Sequence, residues 1–268
     1  MVAKILLSLT DYPFFRKIIW KPFYEVLAKR FRIYDWHFMN YGYAFGADKP
    51  ALHLHPNDEI NRYPIQLYHY LATKTQIQGK EVLEVGSGRG GGSSYINRYL
   101  HPEKITGLDI ASNAIKWAQE HHKEKNLEFI QGNAEKLPFS DHAFEVVINV
   151  ESCHAYPSVP KFLSEVRRVL QPSGIFLCTD LRSPAGMTKL KETLMASGMQ
   201  LVAEENITAN VVMAIEEENI SKLERIQQHV KKWLRPMFSQ FAGVKGSKIH
   251  KDLQSGALVY YSFVLTNK

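Results

Sequence analysis

Cysteine is scarce in this sequence of 268 residues, which contains only Cys153 and Cys178. The two residues form no C-x-x-C pair, the spacing that cysteine zinc sites and many redox sites use. A small disulfide framework also needs more cysteines than two. We therefore expect two reduced thiols, no disulfide scaffold and no cysteine-based zinc site. Other metal-ligand side chains show no binding pattern either, so no metal site is predicted.

Long apolar runs are also absent. No window approaches the roughly 18 apolar residues of a membrane-spanning helix. The short apolar run at the start ends at Asp11, without the cleavage site of a secretory signal. An apolar content of 45% with 22% charged residues is typical of a folded globular chain. These features predict a cytoplasmic protein, either one large α/β domain or a core with an appended cap.

The net charge of +6 is unevenly distributed, because basic side chains are concentrated between Lys4 and Arg32. They are interleaved there with aromatic side chains from Tyr12 to Phe31. This mixture is typical of an arm that contacts a membrane surface or nucleic acid. The favoured interpretation is a helix whose aromatic side chains pack on the core while its cations face water, since most charge runs are solvated faces. We expect no nucleic-acid partner, and a peripheral membrane contact through this arm remains one hypothesis.

From about residue 80 onward, short β-rich runs alternate with helical segments, which is the pattern of a sheet covered by helices on both faces. Helices are predicted over Ser93–Leu100, Ser112–Lys123, Lys161–Leu170 and Thr188–Ala196. Strands are predicted over Glu81–Val85, Ile105–Ile110, Leu127–Gln131, Phe144–Val150, Ile175–Asp180, Gln200–Glu204 and Ala257–Thr266. The predicted fold is α/β: a doubly wound, Rossmann-like, seven-stranded sheet that is mostly parallel, with an antiparallel last strand.

The segment before the last strand is far longer than the median loop of about 4–6 residues. Its apolar residues recur at helical spacing, at Ile220, Leu223, Ile226, Val230 and Leu234. The predicted organisation is a helical N-terminal cap or lid over residues 1–79 and an α/β core over 80–206. A helical cap over 207–256 is then inserted before the last core strand at 257–268.

The strongest motif is VLEVGSGRGGG, which runs from Val82 to Gly92. A buried strand leads here into a glycine-rich turn that opens a helix, and glycine allows both the tight turn and the close approach of a ligand. Several classes of nucleotide enzyme share such a turn. Glu84 narrows the choice, because a carboxylate would not favour a pyrophosphate but would favour a cationic ligand with an ammonium and a sulfonium. An NAD-dependent enzyme is therefore disfavoured, though still an alternative.

Two further elements follow the motif. Asp109 ends the second strand, where a carboxylate can accept hydrogen bonds from both hydroxyls of a ribose or cap the next helix. The following Ile110 would then lie against an adenine ring. After the third strand, the amide of Asn133 and the main-chain N–H of Ala134 could read the adenine edge, although this loop alone is an ordinary turn.

These three elements, in this order and spacing, resemble the class I S-adenosylmethionine-dependent methyltransferases over about Gln78 to Asp180. The resemblance implies S-adenosyl-L-methionine as cofactor and S-adenosyl-L-homocysteine as its product. The family commonly has aspartate where this chain has Asn133, and asparagine keeps one acceptor for the adenine amine. The implied cofactor residues are Glu84, Gly86, Gly88, Asp109, Ile110, Asn133, Ala134 and Glu151.

A closer likeness is found at the stretch VESCHAYPS, from Val150 to Ser158. It covers nearly the whole chain from about Trp36 onward. It is similar to the bacterial natural-product O-methyltransferases typified by the phthiotriolone and phenolphthiotriolone dimycocerosate methyltransferases. This likeness implies O-methylation of a hydroxyl on a small or lipid-like apolar metabolite. The cofactor motifs leave C- or N-methylation, and a non-catalytic cofactor-binding protein, as alternatives.

His154 lies just past the carboxyl end of the fourth strand, where ligands bind in open α/β sheets. A neutral imidazole can accept a hydroxyl proton, so His154 is the predicted base and Asp180 a candidate for orienting it. A single histidine is otherwise more often structural. Tyr156 is a predicted acceptor contact, and Tyr43 a predicted lid residue, because the turn around it resembles one that many such enzymes fold over the cofactor.

Overall fold

The computed structural model describes residues 37–46 and 50–268. The basic aromatic arm up to Arg32 lies outside these ranges, so the membrane-contact hypothesis for that arm stays a prediction. Within the described part of the N-terminal region, a 3-10 helix spans Pro56–Asn61 and helix α1 spans Arg62–Ala72. Residues 37–46 and 50–55 contain no helix or strand.

A seven-stranded sheet forms the centre of the described chain, with the strand order β3-β2-β1-β4-β5-β7-β6. Strand β7 is antiparallel to both its neighbours, and the other paired strands are parallel. This confirms the predicted sheet. The strands are β1 Glu81–Val85, β2 Lys104–Asp109, β3 Leu127–Gln131, β4 Phe144–Val150, β5 Leu170–Arg182, β6 Gln200–Asn206 and β7 Val259–Thr266. Because the order reverses between β1 and β4, the carboxyl ends of these strands frame the crevice where such sheets bind ligands.

Helices cover both faces of the sheet. They are α2 Gly91–Leu100, α3 Ser112–His121, α4 Val159–Val169, α5 Pro184–Met195, α6 Thr208–Glu217, α7 Asn219–His229, α8 Arg235–Phe241 and α9 Lys248–Gln254. Successive side chains of a strand point to opposite faces. Accordingly Val82 packs with Tyr95 of α2 on one face, whereas Leu83 packs with Phe162 of α4 on the other. The doubly wound arrangement is confirmed.

Strand β5 begins earlier than predicted. The stretch Gln171 to Gly174 was expected to end a helix and separate it from the strand, but it lies within β5. The pairing of β5 with β4 is irregular here, and Ser173 has a left-handed φ of 64°. The turn-forming residues therefore form an irregularity inside the strand rather than a loop before it.

The predicted long helix of the cap is broken. Helix α7 ends at His229, Val230 is extended with φ −111° and ψ 130°, and a 3-10 turn over Lys232–Leu234 leads into α8. Pro236 lies in the first turn of α8, where proline needs no helical hydrogen bond, whereas inside a continuous helix it would disrupt one. None of the described helices is long and apolar enough to cross a membrane.

Asn267, directly after β7, supports the end of the sheet opposite the crevice. Its buried amide nitrogen Nδ2 lies 3.0–3.2 Å from the main-chain oxygens of Arg167, Leu170 and Gln171. Asn267→Ala would leave these oxygens without this donor, so we expect urea unfolding to show a loss of about 1–3 kcal/mol. The exposed amide of Asn97 provides the control, since Asn97→Ala should cost less than about 0.5 kcal/mol. Equal losses would contradict the role given to burial.

Candidate active site

A cavity of about 310 Å³ opens at the carboxyl ends of β1, β2 and β4. The turn after β1, the loops after β2, β3 and β4, residues 37–40 and Phe241 of α8 form its wall. Predicted site residues that line the cavity are Gly86, Gly88, Asp109, Ile110, Asn133, Ala134, Glu151, His154 and Tyr156. Glu84, Tyr43 and Asp180 are the predicted site residues that do not line it.

The glycine turn after β1 has a shape that other residues would not readily adopt. Gly86 and Gly88 have left-handed φ values of 83° and 52°. A Cβ atom on Gly86 would lie 2.3 Å from Ser152 Oγ. The turn is fixed to β2, because the N–H groups of Gly86 and Ser87 donate to Leu108 O at 2.7 and 3.0 Å.

Asp109 links this turn to the start of α3. Its Oδ2 accepts the N–H of Gly88 at 2.9 Å, and its Oδ1 accepts the N–H of Ala111 at 2.8 Å. The carboxylate also lines the cavity. Asp109 is not the N-cap of α3, because Ala111 occupies that position, and its side chain makes no capping bond. The ligand contact stays a prediction.

The loops after β2 and β3 supply the kind of surface that was predicted to bind an adenine ring. Ile110 lines the cavity although 49% of it is exposed, so an apolar face is open to a ligand. Asn133 Oδ1 accepts the N–H of Glu135 at 2.9 Å. An amide oxygen has two lone pairs, so this bond holds the loop without using the whole capacity of Asn133.

Glu84 occupies a different position from the one expected for a direct ligand contact. It is fully buried; its Oε1 accepts the hydroxyl of Tyr68 at 2.6 Å, and its other oxygen accepts the hydroxyl of Ser93. Burial raises the pKa of Glu84 although both donors oppose the shift. Because Tyr68 lines the cavity, Glu84 is placed to act on the site through that tyrosine and the start of α2.

The aromatic turn, defined as residues 38–43, lies at the cavity, but not through Tyr43. That side chain is buried and stacked on Tyr70, with ring centroids 4.4 Å apart. Phe38, Met39 and Asn40 line the cavity instead. A turn presents only some of its side chains to one side, and the sequence carried no periodicity in this segment from which to choose them.

His154 and Asp180 form a hydrogen-bonded pair at the cavity, with His154 Nδ1 2.6 Å from Asp180 Oδ1. The Asp180 side chain is 0% exposed, whereas that of His154 is 34% exposed. Asp180 also accepts from Arg182, the Cys153 thiol and the Leu181 N–H. A buried carboxylate with this many donors is stable in the ionised form.

The pair shifts the pKa values of both partners. Burial would lower the pKa of His154, but the charge and hydrogen bond of Asp180 raise it above the ordinary histidine value. Burial would raise the pKa of Asp180, but His154 and Arg182 lower it overall. His154 therefore loses its proton at a higher pH than an exposed histidine does.

Glu151 is a second carboxyl group at the cavity. It has a left-handed φ of 47°, and its Oε1 accepts the N–H of Tyr41 at 2.9 Å and the hydroxyl of Tyr260 at 2.7 Å. Burial raises the pKa of Glu151 to about 7, although both donors oppose the shift. Glu151 thus connects the aromatic turn to β7 and changes its charge near neutral pH.

The cavity residues that were not predicted as site residues include Tyr68, Arg89, Met39 and Phe241. Arg89 lies within the glycine motif, and its guanidinium is 5.1 Å from the Trp117 ring centroid. The motif could have indicated it, as the single charged residue of the turn. Tyr68 and Phe241 come from segments far away in sequence, and no local pattern marks them.

The chain is similar to known proteins both in sequence and in structure. Residues 83–178 match the methyltransferase domain family. The chain is 38% identical over 92% of its length to the phthiotriol/phenolphthiotriol dimycocerosates methyltransferase of Mycobacterium leprae, covering 92% of that protein. It is 42% identical over 78% of its length to a fatty-acid O-methyltransferase of Mycolicibacterium smegmatis, covering 76% of it. The crystal structure of the cyclase SpnF superposes with a TM-score of 0.70 at 18% identity, covering 92% of this chain and 94% of that one.

Sequence identity of 38% to a named methyltransferase over 92% of the chain shows that the protein is an S-adenosylmethionine-dependent methyltransferase. Within that class, the chain belongs to the family of the phthiotriol/phenolphthiotriol dimycocerosates methyltransferases. The predicted class and cofactor are confirmed, and the NAD-dependent and non-catalytic alternatives are set aside. The likeness to SpnF carries the fold alone, since one fold supports different chemistries.

Asp109→Ala tests the cofactor end of the cavity. The variant removes a carboxylate that lines the site and holds the glycine turn, so calorimetry should show S-adenosylhomocysteine binding weakened by about 1–3 kcal/mol. Asp141→Ala is the control, because the Asp141 side chain is 67% exposed and lies outside the cavity. Unchanged affinity in the Asp109 variant would show that this carboxylate does not contribute to cofactor binding.

Asp180→Asn tests the pair at the other end. The change removes the negative charge that raises the pKa of His154, so the imidazole should titrate at a lower pH in the variant. Nuclear magnetic resonance of the His154 ring protons measures both midpoints directly. The wild-type midpoint should lie above the ordinary value of about 6.5. A midpoint that does not move would mean that Asp180 does not determine the charge of this histidine.

Proposed function

We propose that the enzyme methylates a hydroxyl oxygen of a small, apolar, lipid-like molecule, with His154 as the general base. The observation that carries this proposal is the pair of His154 and Asp180 beside a partly apolar cavity. When bound, S-adenosylmethionine supplies the methyl group from its positively charged sulfonium.

The residues at the glycine turn fit this cofactor. The left-handed Gly86 and Gly88 keep side chains out of the turn that would cradle it. Asp109 would accept ribose hydroxyls, and Ile110 would lie against the adenine. Among the described residues that line the cavity, Arg89 is the single basic side chain of the lysine or arginine type. Its guanidinium suits the cofactor's carboxylate.

Asp180 would determine which nitrogen of His154 acts as the base. An ionised carboxylate only accepts hydrogen bonds, so the proton of a neutral His154 lies on Nδ1. Nε2 is then the nitrogen that can accept the acceptor's hydroxyl proton. Asp180 also stabilises the imidazolium that forms, because its own charge is buried next to the ring.

The apolar side chains of the cavity support an apolar acceptor. Phe38 and Met39 line one side, and Phe241 of the cap lines another. Excluding water matters in this reaction because charge is neutralised as the methyl group leaves the sulfonium. The names of the relatives, which refer to dimycocerosates and to a fatty acid, point to acceptors with long apolar parts.

A carboxylic acid is the second candidate acceptor, and the likeness to the Mycolicibacterium smegmatis fatty-acid O-methyltransferase favours it. A carboxylate is already ionised near neutral pH and needs no base, and a protonated His154 would hold it best. Glu151 argues against this candidate, because a second carboxylate in the same cavity would repel it once ionised. The hydroxyl acceptor is therefore preferred.

The two candidates predict opposite dependence on pH. With a long-chain alcohol as probe, turnover should rise with pH as His154 loses its proton, at a pH above the ordinary histidine value. With a fatty acid of equal length, turnover should instead fall over the same range. His154→Ala should reduce turnover of the alcohol by about 10²–10⁴-fold while S-adenosylhomocysteine affinity stays unchanged.

His53→Ala is the matched control, because His53 is exposed and lies outside the cavity. Turnover that is only halved in the His154 variant would make this histidine structural. The methylated product, identified by nuclear magnetic resonance, separates O-methylation from C- or N-methylation. A methyl group on carbon or nitrogen would refute the proposed acceptor.

A further inference from the structure

The cap carries two exposed apolar side chains close together in the chain. Trp233, in the 3-10 turn Lys232–Leu234, is 76% exposed, and Met237, one turn further along in α8, is 46% exposed. Leaving a tryptophan in water is unfavourable, because its large apolar surface is not buried. Exposed tryptophan next to a helix is typical of proteins that lie at a membrane interface.

The same segment is strongly basic. From Val230 to Lys251 the chain has six lysine or arginine residues and no aspartate or glutamate. Lys231 and Lys232, which directly precede Trp233, are exposed, and within the described residues neither forms an ion pair. A positive surface with an apolar centre complements a bilayer that contains anionic lipids.

The structure holds Trp233 in this exposed position. Arg235 donates from Nε to Val230 O at 3.0 Å and from Nη2 to Gln227 O at 2.7 Å, so the turn is tied to the end of α7. Leu234, the next residue, packs inward on the cluster formed by Ile226, Val230, Phe238 and Val244. Trp233 is therefore presented outward by a packed and hydrogen-bonded segment.

This surface continues to the cavity. Met237 and Phe241 are four residues apart in α8 and lie on the same side of the helix. Phe241 lines the cavity, whereas Met237 is exposed. Met237 and Phe241 thus connect the exposed surface of α8 to the wall of the site, on the side by which a molecule with a long apolar part could approach.

We propose that the cap face, defined as Lys231, Lys232, Trp233 and Met237, docks the enzyme on the surface of an anionic lipid bilayer. Trp233 and Met237 enter the interface, and the two lysines contact anionic headgroups. The enzyme then lies on the membrane without spanning it, and α8 faces the bilayer with the cavity behind it. Docking does not depend on whether the acceptor is an alcohol or a carboxylic acid.

Sedimentation of the full chain with vesicles tests this proposal. The vesicles contain phosphatidylcholine with about one third phosphatidylglycerol, and pure phosphatidylcholine vesicles serve as the comparison. Lys231→Glu with Lys232→Glu should weaken binding to the anionic vesicles by at least about thirtyfold, the effect of two lysines near such a surface. The control variant, Lys123→Glu with Lys125→Glu, has the same net charge on exposed lysines elsewhere and should bind like the wild type.

The apolar half of the cap face is tested in the same way. Trp233→Ala with Met237→Ser should weaken binding at least about tenfold. Met195→Ser with Val202→Ser changes side chains that are 62% and 60% exposed on other elements, and it should have no effect. The fluorescence of the wild type should also shift to shorter wavelength on binding, with a smaller shift in the Trp233 variant.

Three outcomes would overturn the proposal. The first is that the wild type does not sediment with anionic vesicles. The cap variants could bind as well as the wild type, which would assign membrane contact to another surface such as the arm up to Arg32. In the third outcome, the lysine variant loses binding while the Trp233 variant binds fully. The surface would then act by charge alone, as a surface that binds an acidic protein does. Because no turnover is measured, these outcomes are independent of the proposed O-methylation.

Discussion

The loop after β4 approaches the glycine turn after β1 so closely that the two share one surface, and the chemistry of the site depends on this approach. Asn149 Nδ2 and Ser152 Oγ both donate to Val85 O, at 2.8 and 3.3 Å. The place of a Cβ atom on Gly86 is occupied by the side chain of Ser152. Glycine at this position lets the cofactor turn and the loop that carries His154 form the two sides of a single cavity.

A buried charge organises the other end of that cavity. Asp180 is withdrawn from water, which is costly for a carboxylate unless donors replace the lost hydration. His154, Arg182, the Cys153 thiol and the Leu181 N–H supply them. Since Asp180 is in β5 and His154 follows β4, the pairing of these two parallel strands places the acid beside the imidazole.

Much of this architecture could be predicted from the sequence because it depends on local patterns. Strands β1 and β4 are largely buried and bounded by turn residues, whereas β3 is an edge strand with one buried side chain, and all three begin and end where predicted. The start of β5 could not be predicted, because the residues before Ile175 are of turn-forming types. Such residues indicate a loop, but here they form an irregularity inside the strand. The break at Val230 was missed because the helical apolar spacing continued across it to Leu234, although Pro236 just beyond marked the start of a new helix.

The site shows the same division. His154 and Asp180 could be placed together because His154 follows β4 and Asp180 lies near the carboxyl end of the neighbouring parallel strand β5. The bond between Tyr68 and Glu84, and the position of Phe241 in the wall, join segments that are distant in sequence. No periodicity or spacing encodes such contacts, and the same reason led to Tyr43 rather than Met39 being chosen in the aromatic turn.

The cap has an apolar cluster of its own, formed by Ile226, Val230, Phe238 and Val244, which is separate from the two clusters on the faces of the sheet. A change inside this small cluster requires no repacking of the sheet or of the cofactor turn. Phe241 lies beside the cluster and in the cavity wall. The wall of the cavity at Phe241 can therefore change in evolution without disturbing the sheet or the glycine turn.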